Sequence, residues 1–151
     1  MTSRGLLRAG LLFMAVGYGP AGLVQLLLPK VFYDDFPASG RSWVALLPPY
    51  NEHLMTDVGA LTLASVLVLV VAAIRMERVM VRTALAASLV FAVPHFVFHI
   101  LHLEHFPTSS AVSQTVVLGI GVVLPCALLA LSARRGALEP VLTPSKPAES
   151  A

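Results

Sequence analysis

Three histidines recur at i, i+4 and i+7 in the apolar run PHFVFHILHLEHF: His95, His99 and His102, with His105 one turn further on. On a helix the first three fall within about 60° of arc, His95 lying roughly 10 Å along the axis from His102. His53 stands in NEHLMTD, preceded by Glu52 and followed four residues later by Asp57, so His53 and Asp57 share a helix face. Imidazole with carboxylate is the donor set of Zn, Fe or Cu. Helical bundles build metal sites by projecting such ligands inward from facing helices. The candidate metal ligands are therefore His53, Asp57, His95, His99 and His102. Glu52 and Glu104 are the candidate general base or acid, or partners for an imidazole N–H. There is no H-E-x-x-H, so the zinc-protease pattern is excluded. Three other readings stay open: axial haem ligation by His53 opposite a histidine of the later run, a non-metal polar network such as a proton relay or an anion or quinone pocket, and structural histidines at a wet interface. His105 taken alone reads as an interfacial residue.

The elements that carry these residues are membrane spans. The chain has 151 residues, 57% hydrophobic and 12% charged, with a mean hydropathy of +0.83. Soluble domains carry roughly 25% charged residues. Crossing a bilayer takes about 20 apolar residues, and four segments qualify: Leu6–Leu28, Leu54–Ile74, Thr83–Leu103 and Ala111–Ser132. The expectation is an all-α integral membrane four-helix bundle in one domain, residues 1–135, with the second and third spans as antiparallel neighbours. The first apolar run is too long for a signal-peptide core. Residues 136–151, rich in Pro, Ser and Ala, are expected to form a disordered cytoplasmic tail. Ionisable groups in or near a bilayer are costly, so the histidine run reads as functional.

Eight basic residues (Arg4, Arg8, Arg75, Arg78, Arg82, Arg134, Arg135 and Lys146) fall on one side of the spans, and only Lys30 and Arg41 on the other. Positive-inside bias then places both termini in the cytoplasm. The histidines, with Asp34, Asp35, Glu52, Asp57 and Glu104, lie at the extracytoplasmic end. The composition, with Arg well ahead of Lys, points to a GC-rich bacterial genome and hence the bacterial inner membrane. The net charge of +2 reflects residues bracketing the spans, which excludes a nucleic-acid partner. The single Cys126 excludes an intrachain disulfide and is expected in the core.

Between the first two spans runs KVFYDDFPASGRSWVALLPPYN, a long aromatic loop. It reads either as a surface anchor or as a lid over a pocket, with a short interfacial helix around Arg41–Leu47. GYGPAG, residues 17–22, permits close helix approach. Gln25, Ser113, Gln114 and Thr115 either hydrogen-bond across helices or line the site, and Ser65 and Ser88 are expected to bond their own helix backbone.

The run PYNEHLMTDVGALTLA, followed by a histidine-bearing third span, resembles small four-span bacterial membrane proteins, and the general layout resembles the DoxX-like four-helix membrane families. That resemblance implies the bundle and carries no functional residues across. The functional expectation is a membrane-embedded metal-binding protein, an enzyme acting on a lipid-soluble small molecule that enters laterally beneath the aromatic loop. The alternatives are a haem- or metal-handling protein, or an accessory subunit of a larger complex or homo-oligomer with a polar pocket. No ionisable residue continues the histidine run into the other half of the spans, which argues against a through-channel.

Overall fold

The computed structural model describes residues 2–134 and Leu138; the rest of the 136–151 tail lies outside the described residues. Five helices and one minimal hairpin follow in order: α1 (Ser3–Leu27), α2 (Pro29–Asp35), β1 (Pro37–Ala38), β2 (Arg41–Ser42), α3 (Glu52–Arg75), α4 (Arg78–Ile100) and α5 (Thr108–Ala133), with a 3-10 turn at Leu103–His105 before α5. The helices α1, α3, α4 and α5 are long and apolar enough to cross a membrane, consistent with a multi-pass membrane protein. They alternate in direction, so one end of the bundle carries the histidines and the other most of the arginines.

Local chemistry sets the helix limits. The Thr2 hydroxyl caps α1 by accepting from Gly5 N–H. The Asn51 side chain accepts from Leu54 N–H at 3.0 Å and starts α3, a capping bond that satisfies one of the amides a helix start leaves open. Arg75 ends α3, Met76 turns the chain with φ 53, and Glu77 flanks the start of α4. A left-handed conformation disfavours a residue with a Cβ. Burial offsets that cost here, since the Met76 side chain is 1% exposed within the core. Ser65 and Ser88 return their hydroxyls to the carbonyls of Leu61 and Ala84 at 2.9 Å each, as expected for serines in an apolar helix.

The helices associate mainly as two pairs, α1 with α3 and α4 with α5; α3 and α4 pack over a smaller area. The short α3–α4 connection makes these helices neighbours, as the sequence predicts, but the main partner of α3 is α1. The reason is visible at Gly59 of α3. A Cβ added there would lie 2.5 Å from the Leu26 backbone nitrogen and 2.9 Å from the Gln25 carbonyl carbon, so α1 and α3 are in backbone contact. Gly22 of α1 faces Thr62 in the same seam. Small residues that let backbones approach are the usual means of helix association in lipid, where apolar burial gives little drive. At the arginine end, Leu7, Leu11, Leu69, Ala72, Val81 and Leu85 form a continuous core with Met76. Cys126 is exposed on α5, which corrects its placement in the core: the buried side of α5 is Gln114, Pro125, Leu128 and Ser132.

The loop after α1 also departs from expectation. Its helix is α2, Pro29–Asp35, while Trp43–Leu46 are turns. Proline at the first helical position pre-sets φ and needs no amide, so the short helix begins directly after α1. Gly40, at φ 78, makes the turn that returns Arg41–Ser42 against Pro37–Ala38. Phe32 stacks on Phe36 with centroids 4.4 Å apart, Phe36 meets Trp43 edge-on at 6.2 Å, and Tyr33 meets Tyr50 at 5.0 Å. Lys30 holds Asp34 one turn on and lies 5.7 and 5.6 Å from the Tyr33 and Tyr50 ring centres. The Asp34 carboxylate raises the Lys30 ammonium above the usual lysine range.

The α1–α3 contact gives a direct test. Gly59→Ala should destabilise the protein by about 1–3 kcal/mol because backbone cannot yield to the added carbon. Gly17→Ala, where the added carbon meets nothing within 4 Å, should be neutral. Thermal unfolding of both variants in one detergent checks this.

Candidate polar site

The helix pairing divides the histidines. His53 turns to Asp57 on its own helix, Nε2 to Oδ2 3.3 Å, and its side chain is 87% exposed. This is the i, i+4 pair the sequence predicts, on the α3 that packs against α1. His95 and His99 lie on α4, which packs against α5. Among the described residues no three His, Cys, Asp or Glu side chains come together in a way that could hold a metal ion. His53, Asp57, His99 and His102 therefore do not form a four-ligand set.

His102 leaves the stripe because α4 stops at Ile100, short of the predicted Leu103. The chain turns at Leu101 and His102, and the His102 Nδ1 pairs with the Phe98 carbonyl at 2.7 Å. Its ring stacks on Phe98 with centroids 4.1 Å apart. A helix end leaves carbonyls without intrahelical partners, and an imidazole N–H near the C-terminus satisfies one of them. His105 makes a weaker contact of the same kind with the His102 carbonyl at 3.3 Å, and also approaches Glu104. Both histidines thus serve the end of α4. Glu104 is exposed beside His105, and Glu52 is exposed in the first turn of α3, where its backbone carbonyl accepts from the Thr56 hydroxyl. Neither carboxylate belongs to a larger cluster of candidate ligands among the described residues.

What remains is a compact polar seam between α4 and α5. The His95 and His99 rings have centroids 4.6 Å apart at 70°. Phe91 stacks on His95 at 5.1 Å, while Phe98 and Phe106 lie 6.0 Å from His99. Pro94 lies inside the helix one residue before His95, and removes one backbone bond at that turn. His99 Nδ1 is enclosed without a hydrogen-bond partner; Nε2 is neither enclosed nor hydrogen-bonded among the described residues. Facing it from α5 is Gln114, 1% exposed, with both amide atoms enclosed and unpartnered. The Gln114 amide is near enough to interact with the His99 ring, but it does not reach good hydrogen-bond geometry. Buried polar groups are almost always partnered, and an unpartnered amide in apolar surroundings costs about 1–3 kcal/mol.

Of the polar residues weighed beside the histidines, Gln114 is the one that joins them. Ser113 bonds the Ser109 carbonyl of its own helix at 2.7 Å. Gln25 sits in the other helix pair and donates to the Met55 sulfur at 3.8 Å. The sequence signal for Gln114 is an amide near the start of an apolar helix, at the histidine end of the spans.

Replacing Gln114 separates a structural role from a functional one. Gln114→Met keeps the side-chain volume and removes the unpartnered amide, so stability should hold or rise by about 1 kcal/mol. A fall of similar size would mean that the amide supports the fold. Thermal unfolding with circular dichroism reads the difference.

Compared with family models, curated proteins and solved structures, the chain matches none, and the chemistry of the α4–α5 seam carries the functional reading.

Proposed function

We propose that this chain is a small multi-pass protein of the bacterial inner membrane that binds a lipid-soluble carbonyl compound of the quinone class at the α4–α5 seam. The arginine distribution supports both termini in the cytoplasm and the seam toward the extracytoplasmic side. The observation that carries the reading is the His99–Gln114 pair, an enclosed unpartnered amide behind an imidazole whose second nitrogen is not enclosed. A neutral imidazole offers one N–H and one lone pair. Held by Gln114 through Nδ1, His99 presents Nε2 to a ligand arriving sideways through the acyl chains. His95, one turn away and half-buried, supplies a second imidazole to the same ligand head. Phe91 and Phe98 add flat apolar surface for a ring. The role is binding, as an accessory subunit or carrier.

The second reading is a divalent Zn, Fe or Cu ion on His95 and His99. Two imidazoles one helical turn apart are favourable for a first pair of ligands. Completing the set would take donors from a second copy, with Glu52 or Glu104 as the acid or base.

Both readings meet one preparation. Purified in mild detergent, the protein should show saturable quenching of Trp43 fluorescence by decylubiquinone, weakened roughly tenfold or more in His99→Leu and in His95→Leu, as expected for loss of a buried hydrogen bond to the ligand. Quenching that rises linearly and equally in all three proteins would refute the quinone reading. Near-stoichiometric metal on the same sample, lost in His95→Ala/His99→Ala, would establish the second reading.

A further inference from the structure

At the opposite end of the bundle, the arginines differ in how fully they are used. Arg75 pairs with Glu77, Nη2 to Oε1 2.8 Å. Arg78 donates to the Leu138 carbonyl at 3.0 Å. Arg82 donates to the Ser132 hydroxyl and carbonyl at 3.2 and 3.1 Å. Arg8 is held only through Nε, which donates to the Ala73 carbonyl across the α1–α3 seam at 3.0 Å. Its two Nη groups make no hydrogen bond among the described residues. Beneath it opens a groove of about 320 Å³ walled by Leu12, Ala73 and Ile74. Leu12 and Ile74 are 42% and 68% exposed, Leu12 one turn deeper than Arg8 on α1 and Ile74 in the last turn of α3. Arg4 is exposed one turn before Arg8, so Arg4, Arg8 and Leu12 follow one face of α1. Glu77 is the one carboxylate at this end among the described residues, and Arg75 occupies it.

We infer that this groove binds one anionic phospholipid, its phosphate on the Arg8 guanidinium and one acyl chain along Leu12 and Ile74. A guanidinium fixed at Nε leaves its remaining donors as a fork that matches two phosphate oxygens, and anchoring costs little further side-chain freedom. Basic pockets between spans are established sites for anionic headgroups. Arg4 adds positive charge at the rim with no carboxylate free to offset it, which favours a lipid of net negative charge over a zwitterionic one. The apolar wall distinguishes the lipid from free phosphate, because only the lipid gains from Leu12 and Ile74.

Native mass spectrometry of the full-length protein from mild detergent tests this, with dioleoyl phosphatidylglycerol and dioleoyl phosphatidylcholine offered in equal amounts. One phosphatidylglycerol per chain should be retained in preference. Arg8→Gln should weaken its retention roughly tenfold or more, as for loss of hydrogen bonds to a charged group. Arg41→Gln, at the histidine end, should leave it unchanged. Ile74→Trp keeps the guanidinium and obstructs the acyl path, so it should also lose the lipid and serves if Arg8→Gln does not fold. Equal retention of both lipids, or full retention in Arg8→Gln or Ile74→Trp, would overturn the assignment. Displacement of the lipid by millimolar inorganic phosphate would make this a phosphate site and overturn it as well.

Discussion

The backbone contact between α1 and α3 at Gly59 decides the arrangement of everything else. With the Leu26 nitrogen 2.5 Å from where a side chain would begin, no other helix can occupy that face of α3. α3 is thereby committed to α1, and α4 finds its main partner in α5. Two chemical consequences follow. His53 and Asp57 travel with the first pair, His95 and His99 with the second. The histidines that crowd together in the sequence are thus shared between separate surfaces, and the polar partner left facing His99 is an amide from α5. In a bilayer this matters more than in water, since helix association there depends on close packing and polar contacts more than on apolar burial.

The spans, their approximate limits and the Asn51 cap were legible in the sequence, because long apolar runs and capping side chains act locally. So was the i, i+4 pairing of His53 with Asp57, which needs only helix geometry. Three features were not legible. The stripe His95–His99–His102 assumed that α4 continued past Ile100, whereas His102 bonds the Phe98 carbonyl and closes the helix. Periodicity locates a helix well but does not say which polar side chain will end it. The short connection predicts α3 and α4 as neighbours, which they are, but not that α1 and α5 are their larger partners, which a glycine contact decides. The loop helix was expected around Trp43, yet Pro29 started it earlier, immediately after α1.

The two ends of the bundle use polar groups in different ways. At the arginine end, most guanidiniums are satisfied by carbonyls, a hydroxyl or Glu77, and they tie α4 to the end of α5 and to Leu138. At the histidine end, enclosed polar atoms of Trp43, Tyr50, His99 and Gln114 lack partners. Functional sites commonly give up stability in this way. The aromatic cluster of α2 and the hairpin lies at that same end of α1, built on Phe32, Phe36 and Trp43.

The five histidines are themselves the best reporters of this arrangement. Nitrogen-15 NMR of histidine-labelled protein in lipid bilayers, recorded while decylubiquinone is added, addresses the central claim directly. Resonances of His95 and His99 should move together and saturate, with His99 protonated on one nitrogen only, while those of His53, His102 and His105 stay fixed. Movement of His53 and His102 in concert with His99, or no movement of any of them, would contradict a ligand site confined to the α4–α5 seam.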